Sequence, residues 1–396
     1  MTSPLALSPE CRLVFLSAGA NCTAATAREY VRAGVNWQRV LVIAERERAV
    51  SSLWHVLERS SSGDIPDEVV LHLRRSGMVS DFRMLYLAQR LGETLARLQE
   101  AGIPVVLLKG AALAASVYPS FTERPMADAD LLVRREDVTR AHDAVRAAGW
   151  RESGDPVLGR LLEGHHHLPA FVDAGGTEVR LELHTALMPG VNPFLLPTEE
   201  YWAAARPAPE EYSGALVPAP AYLLLHACIH FAWSHTFDFG AWRTFRDAGE
   251  LIGGSRIDWD QFVDLAKRTR GASACYWTLR LASRLSETPV PDAVLTQLRP
   301  PSPEALRRAI ERHLVASIAL GEAPPCPSVT LSRLLWRMAI RPGWSGHGTA
   351  QRFGKNANWE LELHGVAPDP PSGRLLRHLG GIRHWWGFVT RTLLAA

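Results

Sequence analysis

Apolar side chains recur at three- and four-residue spacings from about residue 27 to residue 100, as in WQRVLVIAERERAVSSLWHVL and DFRMLYLAQRLGETLARLQE. This spacing places them on one face of a helix. The stretch SSSGDIPDE interrupts the pattern, and its Asp and Pro suit the start of a new helix. Gly102 suits the left-handed backbone with which many helices end. The pattern therefore predicts a helical N-terminal region over residues 1–99.

The period changes after residue 100, where short apolar or alternating runs that are typical of strands are interleaved with helical runs. Strand, helix, strand, helix and strand follow one another in this order: IPVVLLKG, AALAASVYP, MADADLLV, REDVTRAHDAVRAAGW and VRLELHTAL. The last of these strands comes directly after a Gly-Gly turn signal. We therefore expect a small mixed α/β core over residues 100–192.

Helical spacing returns beyond Pro197, in runs such as APAYLLLHACIHFAWSH and WRTFRDAGELI. It predicts a helical region over residues 193–300, followed by a C-terminal helical and irregular extension over 301–396. For the Trp- and Arg-rich end of the chain, an amphipathic helix that packs on the body is favoured over contact with a membrane or a partner. The fold class is thus α+β, with a small mixed sheet flanked by largely helical regions.

Composition narrows the class of protein. Apolar residues make up 47% and charged residues 21%, as in a soluble globular chain. The net charge of +2 is too small for a broad basic track, so DNA binding is not expected. Five scattered cysteines without a CxxC pair exclude a disulfide framework and a thiolate zinc site. With no signal sequence and no apolar run long enough to cross a bilayer, we expect a cytoplasmic protein.

Asp128 and Asp130 begin an apolar strand, and residues two apart in a strand point to the same face. Their carboxylates can bind one divalent cation or a pair of them. Glu182 lies in the later strand VRLELH and can join them if the two strands are neighbours. Adjacent carboxylates repel one another unless a cation is present, so the cluster suits Mg²⁺. By itself, the DxD pair is equally compatible with a solvated strand end.

The turn before this strand has the features of a phosphate site. Lys109 and Gly110 end the preceding strand and lead into a helix, whose first N–H groups favour bound phosphate. Lysine is rare here, with three residues among 43 basic ones, so Lys109 suggests a need for a compact charge. Arg124 can add a bidentate contact to a triphosphate, and an exposed ion pair is the alternative.

Histidines form two further candidate groups. The run from His165 to His167 precedes a proline, and solvent exposure is favoured over a zinc site. His226 and His230 share a helix face, and buried, hydrogen-bonded core histidines are favoured over a role in acceptor binding. His184 shares the face of Glu182 and is expected to line the site, whereas Asp247 is either a pocket residue or an ion-pairing acid on a helix surface.

Taken together, the ordered motifs resemble the uncharacterised nucleotidyltransferase family of the DNA polymerase β superfamily. The family pattern is LKG, a Tyr, an Arg, DxDLLV and a later ELH, which this chain matches with VVLLKGAALAASVYPSFTERPMADADLLV and VRLELHTAL. Helices on both sides are similar too, and the resemblance covers roughly residues 30–290. At the phosphate turn the wider superfamily has Gly-Ser where this chain has Lys109-Gly110.

The resemblance implies a Mg²⁺-dependent enzyme that transfers a nucleoside monophosphate from an NTP, for which we expect ATP, and releases pyrophosphate. Asp128 and Asp130 would hold two Mg²⁺ ions, and Glu182 would be the third metal-binding acid, near the acceptor. Nucleotide-binding roles would fall to the following residues: Lys109, Gly110, Arg124, His167 and His184. The helical region over 193–300 would complete the cleft.

The acceptor is expected to be a hydroxyl or similar group of a small molecule or peptide, because the net charge of the chain is low. Transfer to RNA or to a protein, as in toxin-like relatives, is one alternative. A basic surface beside Asp128 would favour RNA. The other alternative is a catalytically inactive binding protein, which would follow if Asp128, Asp130 and Glu182 failed to converge on one pocket.

Overall fold

The computed structural model describes residues 7–19, 24–59, 64–153, 166–189, 192–254, 257–319 and 329–340 of the 396-residue chain. The first part is helical, as the spacing predicts, and consists of α1 (Pro9–Leu16), α2 (Ala24–Arg32), α3 (Trp37–Glu47), α4 (Val50–Glu58) and α5 (Asp67–Glu100). Among the described residues, no helix combines the length and apolar character that crossing a lipid bilayer requires.

The sheet that follows is mixed. Its strands are β1 (Val105–Leu108), β2 (Asp128–Leu132), β3 (Trp150–Glu152), β4 (Phe171–Asp173), β5 (Arg180–His184), β6 (Arg206–Pro207) and β7 (Ala215–Val217). They lie in the order β3-β4-β5-β2-β1-β7-β6. β2 pairs with β5 in parallel and with β1 in antiparallel orientation, so β2 is a central strand with neighbours on both sides.

Helices cover and extend this sheet. Within and just after the sheet region the chain forms α6 (Lys109–Ser116), α7 (Val138–Ala147) and α8 (Thr198–Ala204). The later helices are α9 (Pro220–Trp233), α10 (Ala241–Gly254), α11 (Trp259–Arg268), α12 (Ala272–Ser286), α13 (Asp292–Leu298), α14 (Glu304–Ala319) and α15 (Val329–Ile340). One continuous cluster of buried apolar side chains links the helices to both faces of the sheet.

The expected α+β fold class is confirmed, with β1, β2 and β5 at the predicted strands. The structure also contains β6 and β7, which are not predicted, because the spacing beyond Pro197 indicates helices alone. Strands of two or three residues are too short to show alternation, and β6 consists of an Arg and a Pro. The predicted borders at residues 99, 192 and 300 stay predictions. The amphipathic helix expected at the Trp- and Arg-rich end lies outside the described residues.

Trp242 fixes α10 against the N-terminal helices. Its ring is buried, and the indole Nε1–H donates to the carbonyl of Val14 and to Oγ of Ser17, both at 3.0 Å. Its backbone N–H donates to the carboxylate of Glu47 on α3 at 3.1 Å. These bonds set the position of the first turn of α10, whose side chains reach the site described below.

Replacing Trp242 with Phe removes a buried indole donor from both the Val14 carbonyl and Oγ of Ser17, and leaves that carbonyl with only the Ser17 hydroxyl as a side-chain donor. We expect a loss of about 2 kcal/mol in the free energy of unfolding, measured by urea denaturation. Trp259→Phe is the matched control, because Trp259 is only partly buried and packs edge to face on Phe262. An equal loss in both variants would contradict the anchoring role of Trp242.

Candidate active site

The pairing of β2 with β5 brings two acids side by side. Asp130 is the register partner of Glu182 across this parallel pair, and Asp128 is the partner of Arg180. Because side chains two apart in a strand share a face, Asp128 lies on the face of the sheet to which Asp130 and Glu182 belong. Asp130 is buried, whereas Asp128, the first residue of β2, and Glu182, the middle residue of β5, are half-buried.

Lys109 is the counter-ion of this acidic cluster. It stands at the turn from β1 into α6, where Leu108 is the register partner of Asp130. Its backbone is left-handed, with φ of +46°, a conformation that costs a non-glycine residue on the order of 1 kcal/mol. From there, Nζ donates to Oδ1 of Asp130 at 2.7 Å. The strained turn thus places the ammonium group at the carboxylate.

His184, the second residue after Glu182, completes the cluster. Its Nε2 lies 2.8 Å from Oδ1 of Asp130 and 3.4 Å from Oε2 of Glu182. One ligand atom from each of Asp130, Glu182 and His184 lies within 4.8 Å of the others. Asp128 is not part of this closest group, so the structure brings together two of the three predicted metal-binding acids and adds an imidazole.

The carboxylates of the cluster affect one another's pKa. Burial raises the pKa of Asp128, and the negative charges of Asp130 and Glu182 raise it further. Burial would also raise the pKa of Asp130, but the Lys109 charge and the His184 hydrogen bond outweigh it and hold that pKa low. The pKa of Glu182 is lowered in the same way, since the hydrogen bond from His184 opposes burial. The lowered pKa of Asp130 and of Glu182 keeps both carboxylates ionised at pH 7, so the cluster presents negative charge to a nearby cation.

The donor set fits a divalent metal ion. Asp130 and Glu182 offer hard oxygen atoms of the kind that Mg²⁺ prefers, and Asp128 offers a third carboxylate on the same strand face. The raised pKa of Asp128 means that its ionised form is destabilised by its neighbours, which a dication would reverse. Lys109 already supplies one positive charge to Asp130.

Arg124 and Asp247 form a buried ion pair beside this cluster. The guanidinium Nε and Nη2 of Arg124 donate to the two carboxylate oxygens of Asp247 at 2.6 and 2.7 Å. Tyr118 donates its hydroxyl proton to the same carboxylate at 2.7 Å. A Cβ on Gly110 would lie 3.3 Å from Nη1 of Arg124, so glycine lets α6 approach the pair. The Tyr and Arg of the sequence motif thus converge on Asp247.

His166 and His167 lie beside His184, with ring centroids 5.4 and 5.1 Å from it. The expectation that they are solvent-exposed is wrong, since both are half-buried. Burial lowers the pKa of His167, and its Nδ1 lies 2.8 Å from the carbonyl of Leu168. They are not in the closest metal-ligand group of the described residues. His165 lies outside the described residues.

His226 and His230 on α9 line a cavity of about 480 Å³ whose opposite wall includes Lys109, Asp128 and Asp130. His226 is buried, as the sequence predicts, but its Nε2 has no hydrogen-bond partner among the described residues. The expectation of a fully hydrogen-bonded core histidine is therefore wrong for this ring. Burial lowers the pKa of His226 to about 3, so the ring is neutral at pH 7.

Further residues line this cavity that the sequence analysis does not single out. They are contributed by the end of α3, the loop after α9 and the first turn of α10: Arg48, His235, Phe239 and Arg243. A second, open groove of about 1000 Å³ shares Arg48, Met126 and Ala127 with the cavity. Arg243 stands four residues before Asp247, so helical spacing from Asp247 is the signal that points to it.

A mixed sheet with acids on adjacent parallel strands, beside a cationic turn, defines a site for divalent-metal and phosphate chemistry. A family model described as "Uncharacterised nucleotidyltransferase" matches residues 33–287, more than half of the chain. The chain therefore belongs to this family and is an enzyme of the nucleotidyltransferase type, which confirms the resemblance seen in its sequence. No curated protein and no solved structure matches it.

The buried histidines make stability depend on pH. The folded-state pKa of His226, about 3, lies below the ordinary value, so its contribution is complete above pH 6.5 and is lost as the pH falls towards 3. At pH 4.5 this costs about 3 kcal/mol, since each pH unit is about 1.4 kcal/mol. We expect His226→Asn to reduce the loss of unfolding free energy between pH 7 and 4.5 by about this amount.

Urea denaturation at each pH measures the loss, and His55→Asn is the control because His55 lies at the surface. A parallel pH profile for wild type and His226→Asn would show that His226 is already protonated or solvated in the folded protein.

Proposed function

We propose that the protein is a Mg²⁺-dependent nucleotidyltransferase that moves a nucleoside monophosphate from an NTP, with ATP as the expected donor, to a hydroxyl or similar group of a small molecule or peptide. The observation that carries the proposal is the juxtaposition of Asp130 and Glu182 on paired strands beside Asp128. Membership of a nucleotidyltransferase family supports the reaction class.

In this proposal the acceptor oxygen forms a bond to the α-phosphorus, and the bond from that phosphorus to the leaving pyrophosphate breaks. Asp128, Asp130 and Glu182 would hold Mg²⁺. When bound, Mg²⁺ supplies positive charge that favours the attacking and the departing oxygens. Lys109 and the first turn of α6, including Gly110, bind phosphate oxygens, because an ammonium group and helix N–H donors face the same cavity.

The remaining predicted residues hold the acids of β2 and β5 in position. Arg124 is held by Asp247 and fixes the turn before β2, which positions the two acids of that strand. His184 holds the carboxylates of Asp130 and Glu182 in place through Nε2. His167 packs on the His184 ring and excludes water from that side of the cluster. Glu182 takes the acceptor proton, because Asp130 is already held by two donors.

The groove that joins the cavity supports a polypeptide acceptor. It is lined by Val79 of α5, and the neighbouring Met78 and Phe82 are 64% and 69% exposed. Apolar side chains that lie open beside a catalytic cavity suit a peptide more than a nucleic acid.

A second candidate, transfer to RNA, is favoured by a different feature of the same groove. Four arginines line it: Arg48, Arg75, Arg83 and Arg180. Arg180 is the register partner of Asp128, so the basic groove begins beside the acidic cluster. Glu178 is the acid that also lines it, and its backbone carbonyl and carboxylate contact Arg83. The phosphates of an RNA chain would form ion pairs with these arginines.

Release of pyrophosphate tests the proposal without knowledge of the acceptor, since water serves as a slow acceptor. We expect Mg²⁺-dependent conversion of an NTP to its monophosphate and pyrophosphate, lowered at least ~100-fold in Asp130→Asn because a metal ligand is lost. Asp143→Asn is the control, since Asp143 is an exposed acid on α7. Release of single phosphates, or equal rates in Asp130→Asn and wild type, would contradict the proposal.

The same assay identifies the acceptor class. Nucleotide labelled at the α-phosphate is offered with hydroxyl-bearing small molecules, with peptides and with RNA. Labelled peptide or small molecule supports the first candidate. Labelled RNA that is lost in Arg75→Glu supports the second, because charge reversal in the groove repels a polyanion.

A further inference from the structure

Arg243 is a cation of the cavity wall without a partner. It lies in the first turn of α10, and no other described residue makes a hydrogen bond or ion pair with its guanidinium group. Lys109 and Arg124 are engaged with Asp130 and Asp247, whereas Arg48, which also lines the cavity, likewise has no hydrogen bond or ion pair from its guanidinium group to a described residue. The guanidinium group of Arg243 thus lines the cavity, and no acceptor among the described residues satisfies its N–H donors.

The surroundings of Arg243 disfavour a lone positive charge. Burial lowers its pKa to about 10, and the charges of Arg124 and Arg48 act in the same direction. Asp247 opposes them only in part, because both of its oxygens are bound to Arg124. A half-buried, unpaired cation is costly, so the described acids on this side of the cavity do not fully balance its positive charge.

Two neutral imidazoles add unsatisfied polar atoms to the same cavity. Nε2 of His226 and Nδ1 of His235 are buried and lack hydrogen-bond partners among the described residues. Burial lowers the pKa of both rings to about 3, and for His235 the Arg243 charge contributes, so neither ring is charged at pH 7. Each ring can donate one N–H to an anion. This observation points to a ligand independently of Arg243.

We propose that Arg243, assisted by Arg48 and His235, binds the polyphosphate chain of the donor nucleotide. This inference rests on the proposed function, and it moves the bidentate phosphate contact expected of Arg124 to Arg243. The guanidinium fork matches the spacing of phosphate oxygens, and a triphosphate carries enough charge to satisfy both the arginines and the cation at the acids. A cavity of about 480 Å³ is of the size that binds small ligands.

The test compares wild type, Arg243→Met and Arg243→Lys by calorimetric titration with inorganic triphosphate and with the NTP, in the presence of Mg²⁺. We expect Arg243→Met to weaken both affinities 10- to 100-fold and Arg243→Lys to weaken them less, since lysine keeps the charge but not the fork. Arg206→Met is the matched control, because Arg206 is exposed on the edge strand β6.

Thermal unfolding separates binding from a structural role. Removal of an unpaired, half-buried cation leaves the ligand-free Arg243→Met protein at least as stable as wild type, while stabilisation by triphosphate is reduced. A lower melting temperature without ligand would mean that Arg243 has a structural partner, and it would overturn the proposal.

The remaining outcomes separate failure of the role of Arg243 from failure of the proposed function. Equal binding of triphosphate by wild type and Arg243→Met overturns the role of Arg243 and leaves the nucleotidyltransferase proposal intact. Absence of both triphosphate and NTP binding in wild type overturns both proposals.

Discussion

Repulsion among carboxylates at one end of the sheet is the constraint on which the site depends. The register of β2 against β5 places Asp130 beside Glu182, with Asp128 on the same face. Such a cluster is unfavourable unless positive charge is supplied. The fold supplies it at the left-handed turn of Lys109, whose Nζ lies 2.7 Å from Asp130. The strand register brings the acids together, and the strained turn at Lys109 supplies the positive charge that their closeness requires.

The same arrangement explains why the helices after the sheet are part of the site. Asp247 of α10 accepts hydrogen bonds from Arg124 and Tyr118, which precede β2 in the sequence. Trp242 fixes the start of α10 against α1 and α3. Arg243, the next residue after Trp242, is thus presented to the cavity by an element whose position is fixed by both the sheet and the N-terminal helices. Distant parts of the chain together set the charge balance of one cavity.

Much of the acidic cluster and of the turn beside it could be predicted from the sequence, because both depend on residues that are close together along the chain. Alternation places Asp128 with Asp130 and Glu182 with His184, and the Lys109-Gly110 turn follows from a strand that ends before a helix. The structure adds the contacts between residues that are far apart in the sequence. The sequence cannot show that Asp247, 123 residues after Arg124, accepts hydrogen bonds from both Nε and Nη2 of its guanidinium group.

The other features that the sequence does not predict also depend on contacts between distant parts of the chain. Strands β6 and β7 are too short to show a period in the sequence. They are identified only in the folded sheet, where β7 pairs with β1 and β6 pairs with β7. Arg243 has no special sequence signal beyond its spacing from Asp247. Arg243 and Arg48 differ from the other cations of the cavity wall in that their guanidinium groups have no partner among the described residues, and that property exists only in the folded protein.

The central claim is that the acids on β2 and β5 bind a divalent cation together with an NTP. Thermal unfolding with each of the four NTPs, with and without Mg²⁺, tests it most directly in wild type and Asp128→Asn. We expect one NTP to raise the melting temperature only with Mg²⁺, by the equivalent of ~2.7 kcal/mol at 100-fold excess over Kd, and the shift to be lost in the variant. No shift with any NTP at millimolar concentration, or the same shift in Asp128→Asn, would contradict the account.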